Sequence, residues 1–192
     1  MIIVEGPDGA GKTTLINRIN AEWGGQFVVQ PRSVSKDAVS LVALDDYIEQ
    51  ELGKGFGPRL YDRFALISSP CYAGLPNRTF RGRMMDVDWL QMVHYQLWQI
   101  DPVVIVCLPP LDVVVANITG DDDNKVVQDD IEEIYIHYLN FIALQVNNNS
   151  LRVWDYTQAN QQKLKGLLGW AAARIEEETQ GKAKRTKKWK ID

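Results

Sequence analysis

The sequence predicts an α/β fold in three layers: a five-stranded parallel sheet with helices over both faces. Two observations carry that expectation. Five short strand-like runs alternate with helical stripes along the chain, and the first run leads through a glycine-rich turn into a helix. The chain has 192 residues, 45% hydrophobic and 24% charged, so it is long enough for one substantial core and ordinary enough to be globular.

The strand-like runs are Ile2–Val4, Gln26–Gln30, Arg59–Tyr61, Val103–Leu108 and Leu151–Trp154. Ile2, Ile3 and Val4 form the unbroken apolar run of a strand buried on both faces. After the turn, Leu15, Ile16 and Ile19 fall at helical spacing. Further stripes fall at Leu41, Leu44, Ile48 and Leu52, and at Leu90, Val93, Leu97 and Ile100. Two more run through Ile131, Ile134, Tyr135, Tyr138 and Ile142, and through Leu164, Leu167, Leu168, Ala171 and Ile175. Pro102 stops the helix before the fourth strand, and Pro109-Pro110 closes that strand. No repeat or low-complexity linker interrupts the pattern, so residues 1–180 read as one domain.

In an open parallel sheet the ligand lies beyond the carboxyl ends of the strands, so those ends are the places to read for chemistry. The first strand ends in Gly6-Pro-Asp-Gly-Ala-Gly-Lys-Thr-Thr14. Gly6, Gly11, Lys12 and Thr13 satisfy the spacing of a phosphate-binding loop between strand and helix. Such a loop, here Gly6, Pro7, Asp8, Gly9, Ala10, Gly11, Lys12, Thr13 and Thr14, cradles an anion with its backbone N–H groups, Pro7 having none to give. Lys12 would reach the terminal phosphates of a nucleoside triphosphate, and the Thr13 hydroxyl would bind Mg²⁺. A second acid for that cation is expected on a neighbouring strand, and Asp62 ends the third run. Arg63 follows it with a planar fork of donors suited to a phosphoryl group. Trp89, Trp98, Trp154 and Trp170 read as core rather than ligand platforms, with Trp154 the one to watch because it ends the fifth strand near the crevice.

The net charge of −4 hides an asymmetry. Residues 181–192 hold Lys182, Lys184, Arg185, Lys187, Lys188 and Lys190 against Asp192 alone. Of the chain's 21 basic and 25 acidic residues, 15 and 24 remain in the body, which sits near −9. Residues 181–192 are therefore expected to be a solvated, flexible basic tail, or else a nucleic-acid contact with Trp189 as a stacking face. Cys71 and Cys107 have no ligand spacing, and a reducing cytoplasm is the simpler setting. Met1 leads straight into the first strand, and no apolar run has membrane-spanning length, so neither a leader nor a membrane partner is expected. His94 and His137 lack a second ligand at helical spacing and read as structural or exposed.

These residues resemble the thymidylate kinase family. Glu5-Gly-Pro-Asp-Gly-Ala-Gly-Lys-Thr-Thr14 is similar to its phosphate loop, with an acid where Asp8 stands. Asp62-Arg63-Phe64 is similar to its Asp-Arg-Tyr segment, and Ser68, Ser69, Tyr72 and Gly74 to the residues that follow. Arg81-Gly82 echoes a later Arg-Gly, Asp101-Pro102-Val103 the entry to the fourth strand, and Asp129 to Leu139 the helix after the lid. The resemblance covers roughly residues 1–155. It implies a P-loop NTPase fold and Mg²⁺-dependent transfer from ATP to a deoxynucleoside monophosphate, dTMP or a related deoxypyrimidine nucleotide. It places Lys12, Asp8, Asp62 and Arg63 in catalysis, with Asp8 near the acceptor sugar or reacting group. It places Arg32, Arg63, Tyr72 and Arg81 at the acceptor, with Arg78 and Arg83 as alternatives to Arg81. It implies a short lid near residues 118–130 and, by analogy, a homodimer.

Three departures qualify that resemblance. The stretch between the second and third strands is short, with only Leu41 to Leu52 and Gly53-Lys-Gly-Phe-Gly57 where relatives hold the base. The lid carries Asn117 in place of an arginine and an acidic Gly120-Asp-Asp-Asp-Asn124, with Lys125 its only basic residue. The basic tail has no counterpart. Together they fit small phage-type relatives, one branch of which resembles kinases that phosphorylate 5-hydroxymethyluracil within DNA. A phage-encoded enzyme would work in the host cytoplasm. The acidic lid also fits a third reading, a nucleotide-binding module without transfer activity.

Overall fold

The structure, a computed structural model, describes residues 1–30, 59–72, 95, 98, 101–119, 125–145 and 147–188. The first strand, β1 (Ile2–Glu5), leads into helix α1 (Lys12–Glu22), and β2 (Val28–Gln30) follows. Next come β3 (Arg59–Asp62), α2 (Ala65–Cys71), β4 (Val103–Cys107) and α3 (Leu111–Ile118). The chain continues through α4 (Lys125–Asp129), α5 (Ile131–Leu144) and β5 (Leu151–Trp154). A 3₁₀ turn (Tyr156–Gln158) precedes the long helix α6 (Gln161–Lys188). The five strands form one parallel sheet in the order β2-β3-β1-β4-β5.

The central strand explains the order. Ile2, Ile3, Val4 and Glu5 are all fully buried, and β4 beside them is buried throughout. Side chains alternate across a strand, so Ile2 and Val4 face one layer and Ile3 and Glu5 the other. Ile2 and Val4 pack with Leu15, Ile16 and Ile19 of α1 and with Leu167, Leu168 and Ala171 of α6. Ile3 packs with Leu66 and Ile67 of α2 and with Ile134, Tyr138 and Phe141 of α5. The sheet is thus covered on both faces, as its apolar strands require.

All five expected strands are present, four with one end displaced by one or two residues and the fifth with its expected bounds. The second begins at Val28 because Gly24 and Gly25, both at positive φ, end α1 and turn the chain, leaving Phe27 to pack edge-on against Trp23. Helix α3 was not marked by a stripe. Its run Val113-Val-Val115 is β-branched and a poor helix former by propensity, yet Pro110 starts the turn and Val114 and Ile118 bury against the sheet. Helix α6 continues from the expected stripe through residues 181–188. The stripes at Leu41 to Leu52 and Leu90 to Ile100 lie outside the described residues, apart from Tyr95 and Trp98. No helix among the described residues is long and apolar enough to cross a membrane.

Candidate active site

The turn after β1 is shaped by its glycines. At Gly6 a Cβ would come within 2.2 Å of the Cys107 carbonyl oxygen, and at Gly11 one would meet the Tyr156 ring at 2.9 Å. Both have positive φ, and Gly11 caps α1 in the left-handed conformation. The loop is thus pressed against the ends of β4 and β5. Lys12 opens α1, is 7% exposed, and its Nζ donates to the Pro7 carbonyl at 2.6 Å. Burial, reinforced by the Arg63 cation, pushes the Lys12 ammonium down to about 7, against the pull of Asp8 and Asp62. Thr13 and Thr14 are exposed on the first turn.

Asp62 ends β3, opposite Val4 of β1 in the parallel register. Its Oδ1 is buried without a hydrogen-bond partner, and it forms no ion pair with Arg59 or Arg63. Arg63 turns instead towards the loop. It is 4% exposed and stands at φ 69°, an uncommon conformation for a residue with a side chain. Its Nη2 donates to Asp8 Oδ1 at 2.6 Å and to the Tyr72 hydroxyl at 2.5 Å. The Tyr72 hydroxyl in turn donates to Asp8 Oδ2 at 3.1 Å, so both Asp8 oxygens are engaged. The guanidinium carbon also lies 4.7 Å from the centre of the Tyr72 ring. Burial opposes the Arg63 charge, but Tyr72, Tyr138, Asp8 and Glu5 outweigh it and hold the group firmly cationic.

Beneath these residues Glu5 is fully buried. Its Oε1 accepts the Phe64 N–H and its Oε2 accepts the Tyr138 hydroxyl at 2.8 Å. Burial pushes the Glu5 carboxyl up to about 7, although Phe64, Arg63, Tyr138 and Lys12 all favour its ionised form. A carboxyl raised from 4.5 to about 7 favours folding most below pH 4.5, and that contribution is lost as pH rises to 7. Lys12, lowered to about 7, starts to titrate only at the top of that window and is common to the parent and to Glu5→Gln. The loss amounts to roughly 3 kcal/mol. Urea unfolding between pH 5 and 8 should therefore show Glu5→Gln gaining stability relative to the parent; parallel profiles would contradict the assignment.

On the other side of the loop is a cavity of about 400 Å³, lined by Gly11, Thr14, Leu15, Arg18, Asn117, Trp154, Tyr156 and Ala159. Asn117 Nδ2 donates to the Gly9 carbonyl at 2.8 Å and to the Tyr156 hydroxyl at 2.7 Å. The residue read as a missing arginine thus braces the loop and the cavity wall.

The structure brings Asp8, Lys12, Asp62, Arg63 and Tyr72 together at the carboxyl ends of β1 and β3. Arg32, Arg78, Arg81 and Arg83 lie outside the described residues, as does the lid stretch 120–124. Lys125 begins α4, but its side chain is also outside the description. Sequence reasoning missed Glu5 as a buried carboxylate, Tyr138 as its partner, and Asn117 and Tyr156 as a pair. The one available signal was an acid, Glu5, ending an otherwise apolar strand.

No protein-family model matches the sequence, and no curated protein matches it. Solved structures do match its fold. The YorR protein of Bacillus subtilis, in complex with phosphorylated GDP, is 17% identical with a TM-score of 0.63, over 92% of this chain and 97% of that one. Deoxyadenosine kinase from M. mycoides with bound dATP is 14% identical with a TM-score of 0.56, over 88% and 97%. The same kinase with products dCMP and a flexible dCDP is 15% identical with a TM-score of 0.56, over 92% and 98%. At these identities the likeness establishes the fold alone, a five-stranded parallel sheet with helices over both faces.

Proposed function

We propose that the chain is an ATP- and Mg²⁺-dependent phosphotransferase acting on a deoxynucleoside monophosphate, with dTMP or a related deoxypyrimidine nucleotide as acceptor. One observation carries the reading: a phosphate-type loop with a buried lysine meets a carboxylate and a buried arginine from the neighbouring strand. In this reading the loop amides and Lys12 hold the β- and γ-phosphates, and Arg63 stabilises charge on the phosphoryl group or the acceptor phosphate. The cavity walled by Trp154 and Tyr156 takes the donor base.

The residues present fit a hard cation. Asp62 offers a buried oxygen with no partner, and Thr13 an exposed hydroxyl at the helix start. Among the described residues no group of three or more His, Cys, Asp or Glu could hold a metal, so phosphate oxygens and water would complete the shell. When bound, Mg²⁺ neutralises charge on the phosphate oxygens. Asp62→Asn should raise the Mg²⁺ concentration for half-maximal activity by about tenfold or more, and an unchanged requirement would remove Asp62 from that role.

A monophosphate acceptor suits the state of Asp8. A phosphate is already ionised and needs positioning, whereas an alcohol gains from a general base. Both Asp8 oxygens are taken by Arg63 and Tyr72, which suits a positioning task. The deoxynucleotides bound to proteins of the same fold support a nucleotide ligand for the site. A second reading, phosphorylation of 5-hydroxymethyluracil within DNA, is favoured by Lys182, Lys184, Arg185, Lys187 and Lys188 on the last turns of α6. ADP release from ATP, measured side by side with each deoxynucleoside monophosphate and with hydroxymethyluracil DNA, separates them. Stimulation by a monophosphate is expected. Labelling of the DNA alone would favour the second reading, and no transfer to any acceptor would contradict both.

A further inference from the structure

We propose that Glu5 is a positioning residue for Arg63: its carboxylate pins the peptide after Arg63 and the tyrosine layer that holds the Arg63 guanidinium. The inference rests on the role assigned to Arg63 above. It starts from the end of the β1–β3 ladder. Regular pairing runs to Val4 and Asp62, and the Arg63 N–H still donates to the Val4 carbonyl at 2.9 Å. At Arg63 the backbone turns left-handed, which takes the next N–H, that of Phe64, out of the ladder. A buried N–H needs an acceptor, and Glu5 Oε1 supplies it. Two successive peptides just after β3 are thereby tied to two successive residues of β1, one through backbone and one through side chain.

The second arm runs through the side chains. Glu5 Oε2 accepts the Tyr138 hydroxyl, and the Tyr138 ring meets Tyr72 edge-on, with centroids 6.3 Å apart at 83°. Tyr72 both receives Arg63 Nη2 and lies beneath its guanidinium. Ile3, on the same face of the same strand, shows what packing alone would place there. A carboxylate at Glu5 is costly to bury, and its position is explained by the two donors it receives from the segments that hold Arg63.

The test compares Glu5→Ala with Glu5→Gln in the full chain. A glutamine can accept from Phe64 with its oxygen and donate to the Tyr138 oxygen with its amide, whereas alanine can do neither. Glu5→Ala should lower kcat by about 100-fold while KM for ATP moves by less than about threefold, and Glu5→Gln should restore kcat to within about tenfold. In an Arg63→Lys background Glu5→Ala should cost little more, because the group it positions is gone. Full additivity, equal losses in the two Glu5 variants, or a KM for ATP that rises in step with the loss would each overturn the proposal. A readout without turnover keeps it decidable if a variant is inactive or the acceptor is wrong. In ¹⁵N-arginine-labelled protein, the Arg63 Nε–H signal, assigned by its loss in Arg63→Lys, should move or broaden in Glu5→Ala. An unmoved signal overturns the positioning role, whereas a parent without transfer activity counts against the kinase reading alone.

Discussion

Lys12→Ala should lower kcat/KM by about 10²- to 10³-fold, the largest loss expected from any single side chain in the site. The loop amides can orient an anion, but they carry only partial charge. The one basic side chain on the loop is Lys12, held at the start of α1 with its Nζ over the Pro7 carbonyl. Transfer of a phosphoryl group draws most of its catalysis from positioning and charge stabilisation, so removing that cation removes much of what the site supplies. The alanine also relieves a burial cost, since Lys12 is held as a cation only against its burial. The variant should therefore be at least as resistant to urea as the parent at pH 7, which separates lost chemistry from lost folding. Near-parental turnover in a folded Lys12→Ala protein would remove the site assignment.

Arg63→Ala should reduce kcat by about 10²-fold while ADP affinity changes by less than about threefold. The asymmetry follows from where Arg63 points. Among the described residues its side chain meets Asp8 and Tyr72, the side proposed for the acceptor, and none of those that line the cavity by Trp154 and Tyr156. The change also removes the Arg63–Asp8 ion pair, which should lower stability. Asp8 keeps 19% side-chain exposure, so water screens part of that cost. Arg63→Lys keeps the charge but loses the planar guanidinium that lies over the Tyr72 ring and sets where Nη2 meets Asp8 and the Tyr72 hydroxyl. It should recover stability more fully than turnover. Equal losses of ADP binding and turnover in both variants would place Arg63 with the donor.

The sheet was readable because its strands are short apolar runs between helical stripes, and periodicity is a local property. The phosphate loop was readable for a similar reason: Gly6 to Thr14 is one contiguous segment whose spacing has a mechanical meaning. Asp62 could be anticipated from its place at a strand end. What periodicity could not show were contacts made across the fold. Arg63 reaches Asp8 across 55 residues, and Tyr138 reaches Glu5 across 133. Asn117 was legible only as the absence of an arginine, because its task, bracing Gly9 and Tyr156, depends on α3 lying beside the loop. That helix was itself hidden by a valine run whose local preference is overridden by packing.

Calorimetric titration of ATP, with and without Mg²⁺, into the parent protein and into Lys12→Ala tests the central assignment most directly. The account predicts one ATP site per chain, tightened by Mg²⁺ by about tenfold or more and lost in the alanine variant. ATP binding that ignores Mg²⁺ and survives Lys12→Ala would contradict it.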